Sequence, residues 1–128
     1  MTVNELLGMV DRLHPNQFST EDKLRWLNEV EQTIYREIVC THEYDGELPE
    51  MPNYTAASDD ELLAVAPYDR LYPAWMDAKI AYHNRESMKY ADAAAVFNEE
   101  YSAFARFYNR MYMPIGRVTH LHLLDRRW

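Results

Sequence analysis

Apolar residues recur along this chain at intervals of three and four, separated by polar and proline-bearing breaks, and the pattern predicts four helices. The first follows Thr2, whose hydroxyl caps the helix while Glu5 reaches back in a capping box. Leu6, Met9, Val10 and Leu13 mark its apolar face. Gly8 weakens it by about 1 kcal/mol relative to alanine. His14-Pro15-Asn16 ends it, because a residue before proline avoids the helical region. A second helix starts at Ser19 or Thr20 and ends near Cys40, with Glu21 and Asp22 at the positive end of its dipole. Leu24, Leu27, Val30 or Glu31, Ile34 and Ile38 repeat along it, Trp26 and Tyr35 widen the face, and Glu21 is spaced to pair with Arg25.

The period fails between residues 41 and 66, where glycine, prolines and acids read as a long connection, with Glu61–Val65 as a short strand at its end. The third helix is expected to be capped by Asp69, with Pro73 in its first turn, where a missing amide costs little. Leu71, Trp75, Ala78 and Tyr82 form its stripe, flanked by Tyr72, Met76 and Ile80. A tight break at 83–86, with Asn84 in the left-handed conformation, leads to a fourth helix from Ser87 to Tyr112. Tyr90, Ala94, Phe97, Tyr101, Phe104, Tyr108 and Met111 follow a seven-residue repeat along it. Such a rod is roughly 39 Å long, and its short link to the third helix favours antiparallel packing. Beyond Pro114 and Gly116, Val118 to Leu124 alternates as an extended segment does.

At 128 residues the chain suits one domain, and its 48% hydrophobic content argues against global disorder. The net charge of −8 disfavours non-specific nucleic-acid binding. Its placement is more informative. Residues 41–66 hold seven acids and no base, whereas residues 110–128 hold Arg110, Arg117, Arg126 and Arg127 against Asp125. The N-terminal residues lack the pattern of a signal peptide, and no apolar run approaches the roughly 20 residues that cross a bilayer. The expected setting is therefore the cytoplasm, without membrane attachment.

Candidate chemistry is sparse. Cys40 stands alone, so neither an intrachain disulfide nor a cysteine zinc site is available, and Cys40 beside His42 lacks the geometry of a nucleophile and base. His120 and His122 share a strand face but have no third ligand. Asp11-x-x-His14 only approximates a dimetal motif, Asp59-Asp60-Glu61 lacks calcium-loop spacing, and the three glycines form no phosphate loop. No enzyme activity, metal or cofactor is expected. Ten tyrosines and an aromatic stripe instead suggest packing between subunits, because tyrosine is enriched at interfaces.

Several positions resemble the head–tail connector (adaptor, head-completion) family of tailed bacteriophages. They are Asp11-Arg12-Leu13, Pro15-Asn16 and Lys23-Leu24-Arg25-Trp26-Leu27-Asn28, then Ala66-Pro67-Tyr68-Asp69, Leu71-Tyr72 and Tyr82-His83-Asn84. Tyr90, Phe97-Asn98, Tyr101, Phe104-Ala105, Tyr108-Asn109-Arg110 and Pro114 complete the set. Pro73 and the lack of a glycine after Asn84 depart from the family's pattern. The resemblance implies a mainly α protein assembled as a homo-oligomeric ring, usually of twelve copies, in the virion neck. Such a ring sits beneath the portal protein, extends the DNA channel and meets a stopper or tail-completion protein. It lets genomic DNA pass without specific binding.

The expected architecture is a small helical bundle with a long antiparallel helix pair, a long acidic loop and an extended C-terminal tail. Residues 1–114 form the connector domain, with the loop at 41–66, and residues 115–128 form a docking tail. Subunit packing and core fall to Trp75, Tyr82, Tyr90, Phe97, Tyr101, Phe104 and Tyr108. Glu43, Asp45, Glu47, Glu50, Asp59, Asp60 and Glu61 are expected to face the channel or a partner, the loop ordering against a neighbour. The tail lies outside the resemblance. Its cationic, alternating pattern assigns portal docking to Arg117, Leu121, Leu123, Arg126, Arg127 and Trp128. The alternative is a DNA-packaging accessory or another phage interaction module without catalytic activity.

Overall fold

The computed structural model describes residues 1–44 and 46–115 and is mainly helical. Helix α1 spans Val3–Leu13. Its capping box forms as expected: Thr2 Oγ1 accepts from the Glu5 amide, and Glu5 Oε1 accepts from the Thr2 amide at 2.8 Å. Val3, Leu6 and Val10 are buried, whereas Leu13 is exposed. Helix α2 spans Thr20–Ile34, with Ser19 accepting from the Asp22 amide, and continues through a π-helical turn at Tyr35–Val39. Arg25 pairs with Asp22 at 3.2 Å, one position nearer than the expected partner Glu21.

A 3₁₀ turn at Tyr68–Arg70 leads into α3, Leu71–His83. Asp69 is therefore not the cap. Arg70 holds that position, which places Pro73 in the first turn, where its missing amide deprives the helix of nothing. The chain reverses one residue later than expected. Asn84 is still right-handed and donates to Ile80 O, and Arg85 takes the left-handed conformation at φ 58°. Helix α4 spans Ser87–Met111.

Rings of α3 and of the turn before it meet those of α4 in opposite order along the chain: Tyr82 with Tyr90, Trp75 with Phe97, and Tyr68 with Phe107. Trp75 also ties α3 to α2, its indole donating to Trp26 O at 2.7 Å. The core gathers Leu6, Leu27, Ile34, Leu71, Met76 and Phe104 between these helices. Burying each large apolar side chain is worth about 1.5–3 kcal/mol, so this cluster dominates stability.

The anticipated stripes are only partly buried. On α3 the flanking Tyr72, Met76 and Ile80 are buried, while Tyr82 is 62% exposed. On α4 only Phe104 and Tyr108 are buried. The reason is geometric. The C-terminal half of α4 meets the π turn and Tyr68 as well as α3, whereas its N-terminal half packs mainly on α3.

The segment expected to be a strand, Glu61–Val65, makes only one isolated bridge, from Glu61 to Thr2. It serves instead to fasten α1, with Leu62 N–H donating to Met1 O and Val3 N–H to Asp60 O. Pro114 and His42 form a second isolated bridge, so residues 113–115 run beside 41–43. Gly116 and the tail with its alternating segment lie outside the described residues.

Candidate functional site

The long connection lies along one face of α2 and its π turn. Asn28, Gln32 and Tyr35 fall on that face at helical spacing and hold backbone groups of the loop. The Asn28 amide accepts from the Tyr54 N–H at 2.7 Å and donates to Tyr54 O at 3.0 Å. Gln32 donates to Pro52 O, and the Tyr35 hydroxyl to Pro49 O. The expectation that this loop orders only against a neighbour is thus corrected: much of it is already fastened to its own chain.

Glu31 sits behind these contacts and is fully buried. Its Oε2 accepts from the Tyr54 hydroxyl at 2.7 Å and the Leu63 N–H at 3.0 Å. Its Oε1 accepts from the Tyr72 hydroxyl, which in turn accepts from the Ala64 N–H at 2.8 Å. Burial raises the Glu31 carboxyl above its ordinary pKa, and the three hydrogen bonds counter this only in part. Burial and the neighbouring Glu31 charge likewise raise the Tyr54 and Tyr72 hydroxyls. One carboxylate therefore joins α2, α3 and both ends of the segment 54–64. The sequence held a signal for it, a glutamate on the apolar face of a helix.

This clasp sets where the acids stand. Glu43, Glu47 and Glu50 are exposed, and Asp45 lies outside the described residues. Asp59 and Glu61 turn back to the start of the chain. Asp59 Oδ1 accepts from the Asn4 amide at 3.3 Å, and Glu61 lies 3.2 Å from the Met1 amino group. They complement the positive end of α1. Asp60 is exposed, and its backbone carbonyl holds Val3.

A second node roots the segment that leads to the tail. His42 is buried, with Nδ1 2.6 Å from Ile38 O and Nε2 2.6 Å from Asn109 Oδ1, and its ring stands edge-on to Tyr108. Both ring nitrogens are thus engaged, which leaves neither to serve as a base for the exposed Cys40. Glu43 N–H donates to Met113 O, and Ile115 N–H donates to Thr41 O. Burial pushes the Tyr108 hydroxyl up to about 12. The proposed docking residues Arg117, Leu121, Leu123, Arg126, Arg127 and Trp128 all lie outside the described residues, as do His120 and His122.

The aromatic residues divide into two groups. Phe104 and Tyr108 are buried, and Trp75, Phe97 and Tyr101 are half-buried. The Tyr101 hydroxyl donates to Glu37 Oε1 at 2.7 Å, and this contact together with burial raises its pKa. Tyr82 and Tyr90 are exposed at the α3–α4 turn with their ring centroids 5.8 Å apart. Met88, two positions earlier on α4, is 82% exposed.

No group of three His, Cys, Asp or Glu side chains among the described residues could hold a metal ion. Asp11 instead accepts from the buried ammonium of Lys23, and His14 lies 3.4 Å from Asp77. No described helix is long and apolar enough to cross a membrane. No family model, curated protein or solved structure gives a match to the chain.

Proposed function

We propose that this chain is a non-enzymatic structural subunit of a tailed-phage neck: a head–tail adaptor that closes into a ring, twelve copies being the expected number, beneath the portal. In this reading the protein is a small bundle whose antiparallel helix pair, α3 and α4, packs between subunits. The acidic loop faces the channel, the C-terminal segment is a docking arm, and a stopper or tail-completion protein binds the opposite face. Subunits meet through unlike surfaces, and rotation closes the ring.

The observation that carries the reading is the acidic connection held by Asn28, Glu31, Gln32 and Tyr35 against a rigid helix. The fastened stretch presents Glu50 beside the anchored Pro49, and the Met113 carbonyl holds the backbone of Glu43, as a channel lining requires. Its charge repels DNA phosphates, so a passing duplex does not adhere. The repulsion acts within a Debye length, about 8 Å at physiological salt, and weakens as salt rises. The exposed pair Tyr82 and Tyr90 supplies the apolar contact that ring closure needs. Electron microscopy of the protein alone and mixed with portal rings tests the proposal, with coaxial symmetric rings as the expected result.

A further inference from the structure

Ile115, the last described residue, lies in an open groove of about 890 Å³. One wall is the π turn, with Glu37, Ile38 and Thr41, and the other is the last turns of α4, with Ala105 and Asn109. Met111, Met113 and Ile115 also line it, and each is more than half exposed. Large apolar side chains bared together around a groove mark a surface that gains by being covered. The hydrogen bonds set the direction in which the chain enters. Glu43 N–H donates to Met113 O and Ile115 N–H to Thr41 O, so residues 113–115 run antiparallel to 41–43 and point past Thr41 toward Glu37. Glu37 lies one turn before Thr41, whose hydroxyl donates to Glu37 O at 2.9 Å. Its carboxylate is exposed, accepts from the Tyr101 hydroxyl on Oε1, and pairs with no cation among the described residues. Arg110 lines the same groove without forming an ion pair to it.

We propose that this groove holds the chain's own C-terminal segment, with Arg117 pairing with Glu37 and Val118 covering the α4 wall at Ala105. Direction and reach are the first support. Two extended residues advance about 7 Å and one helical turn about 5.4 Å, so Arg117 falls level with Glu37. Successive side chains of an extended segment point to opposite sides, which suits a groove with an acid on one wall and Ala105 on the other. Charge is the second support. The segment after Ile115 carries three arginines against one aspartate, and the first arginine stands at the position that meets Glu37. Tethering is the third. A segment joined to the groove's own wall competes at an effective concentration on the order of millimolar, which the segment of a second copy matches only in millimolar protein. The inference goes beyond the ring-subunit reading and does not depend on it, because it gives the arm a resting place within a single chain. In a ring, docking on a portal would then begin with release of the arm from Glu37.

Disulfide trapping tests it in full-length protein carrying Cys40→Ser. Ala105→Cys with Val118→Cys leaves Glu37 and Arg117 intact. In the control, Glu43→Cys takes the place of Ala105→Cys, because Glu43 also lies beside the root of the segment, at Met113, but does not line the groove. Under mild oxidation the 105–118 disulfide is expected to form within the monomer, at a rate independent of dilution and roughly tenfold or more above that of the 43–118 disulfide. Adding Glu37→Gln at low salt should slow it about twofold or more, as loss of an exposed ion pair does, and an unchanged rate overturns the pairing. Equal rates for the two cysteine pairs overturn the proposal, since they describe a segment that samples its surroundings without a site. So does a disulfide between tagged and untagged copies in place of the intrachain one, which gives the groove to a second chain. Amide hydrogen exchange of the unmutated full chain reads the same contact without cysteines. Amides of residues 117–120 are expected to exchange roughly tenfold or more slowly than in a free peptide of residues 115–128, and equal rates overturn the proposal.

Discussion

Replacing Glu31 probes the clasp most sharply, because one buried side chain holds three donors from two other segments. Glu31→Ala strands the Leu63 N–H, which cannot turn elsewhere, and frees the Tyr54 and Tyr72 hydroxyls, which can rotate but lie buried. At about 1–3 kcal/mol per unsatisfied buried donor, reduced for the rotating hydroxyls, the loss is roughly 3–6 kcal/mol. Domain stabilities are typically about 5–15 kcal/mol, so this is a large share. Glu31→Gln keeps the shape but replaces an acceptor with an amide nitrogen, at a cost of roughly 1–3 kcal/mol.

The same site gives a pH signature. Folding raises the Glu31 carboxyl above its ordinary 4.5, so the folded chain holds the proton more tightly than the unfolded one. Its contribution is therefore fully present below pH 4.5 and is lost as pH rises through the folded value. Glutamine does not titrate, so the advantage of the parent over Glu31→Gln is largest at pH 4 and narrows toward pH 8. Urea unfolding followed by the fluorescence of Trp26 and Trp75 measures both effects. A loss below about 1 kcal/mol for Glu31→Ala, or an advantage that widens as pH rises, would refute the reasoning.

Other residues give separable outcomes. Phe104→Ala should cost about 3–5 kcal/mol in urea unfolding, whereas Tyr101→Phe, which loses only a half-exposed hydrogen bond to Glu37, should cost under about 1 kcal/mol. Tyr82→Ser with Tyr90→Ser should leave the unfolding midpoint within a few degrees yet reduce ring yield in sedimentation, since these rings are exposed in the subunit. Neutralising Glu43, Asp45, Glu47 and Glu50 as glutamine or asparagine should increase duplex DNA retention by assembled rings at low salt. That difference should vanish at high salt, and a salt-independent change would separate the loop from any charge role.

Much of the helical framework was legible because local chemistry governs it. Thr2 with Glu5, Ser19 and the residues around Pro15 carry their own start and stop signals, and the structure follows them. The depth of burial was less legible. A seven-residue repeat on α4 says which side chains share a face, not whether a second helix covers that face along its whole length. Tyr90 and Phe104 have the same place in the repeat, but only Phe104 is buried. The clasp was hidden for a related reason. Asn28 and Gln32 look like ordinary exposed positions of α2, and Tyr35 like part of its apolar face, until the loop lies across them.

The central claim is that the chain is a ring-forming adaptor. Its most direct test is electron-microscopic imaging of the full-length protein incubated with purified portal rings, scored for symmetry and coaxial stacking. The account predicts closed rings, twelvefold when seated on the portal, with a continuous central channel. A protein that remains monomeric at every concentration and leaves portal rings bare would contradict it.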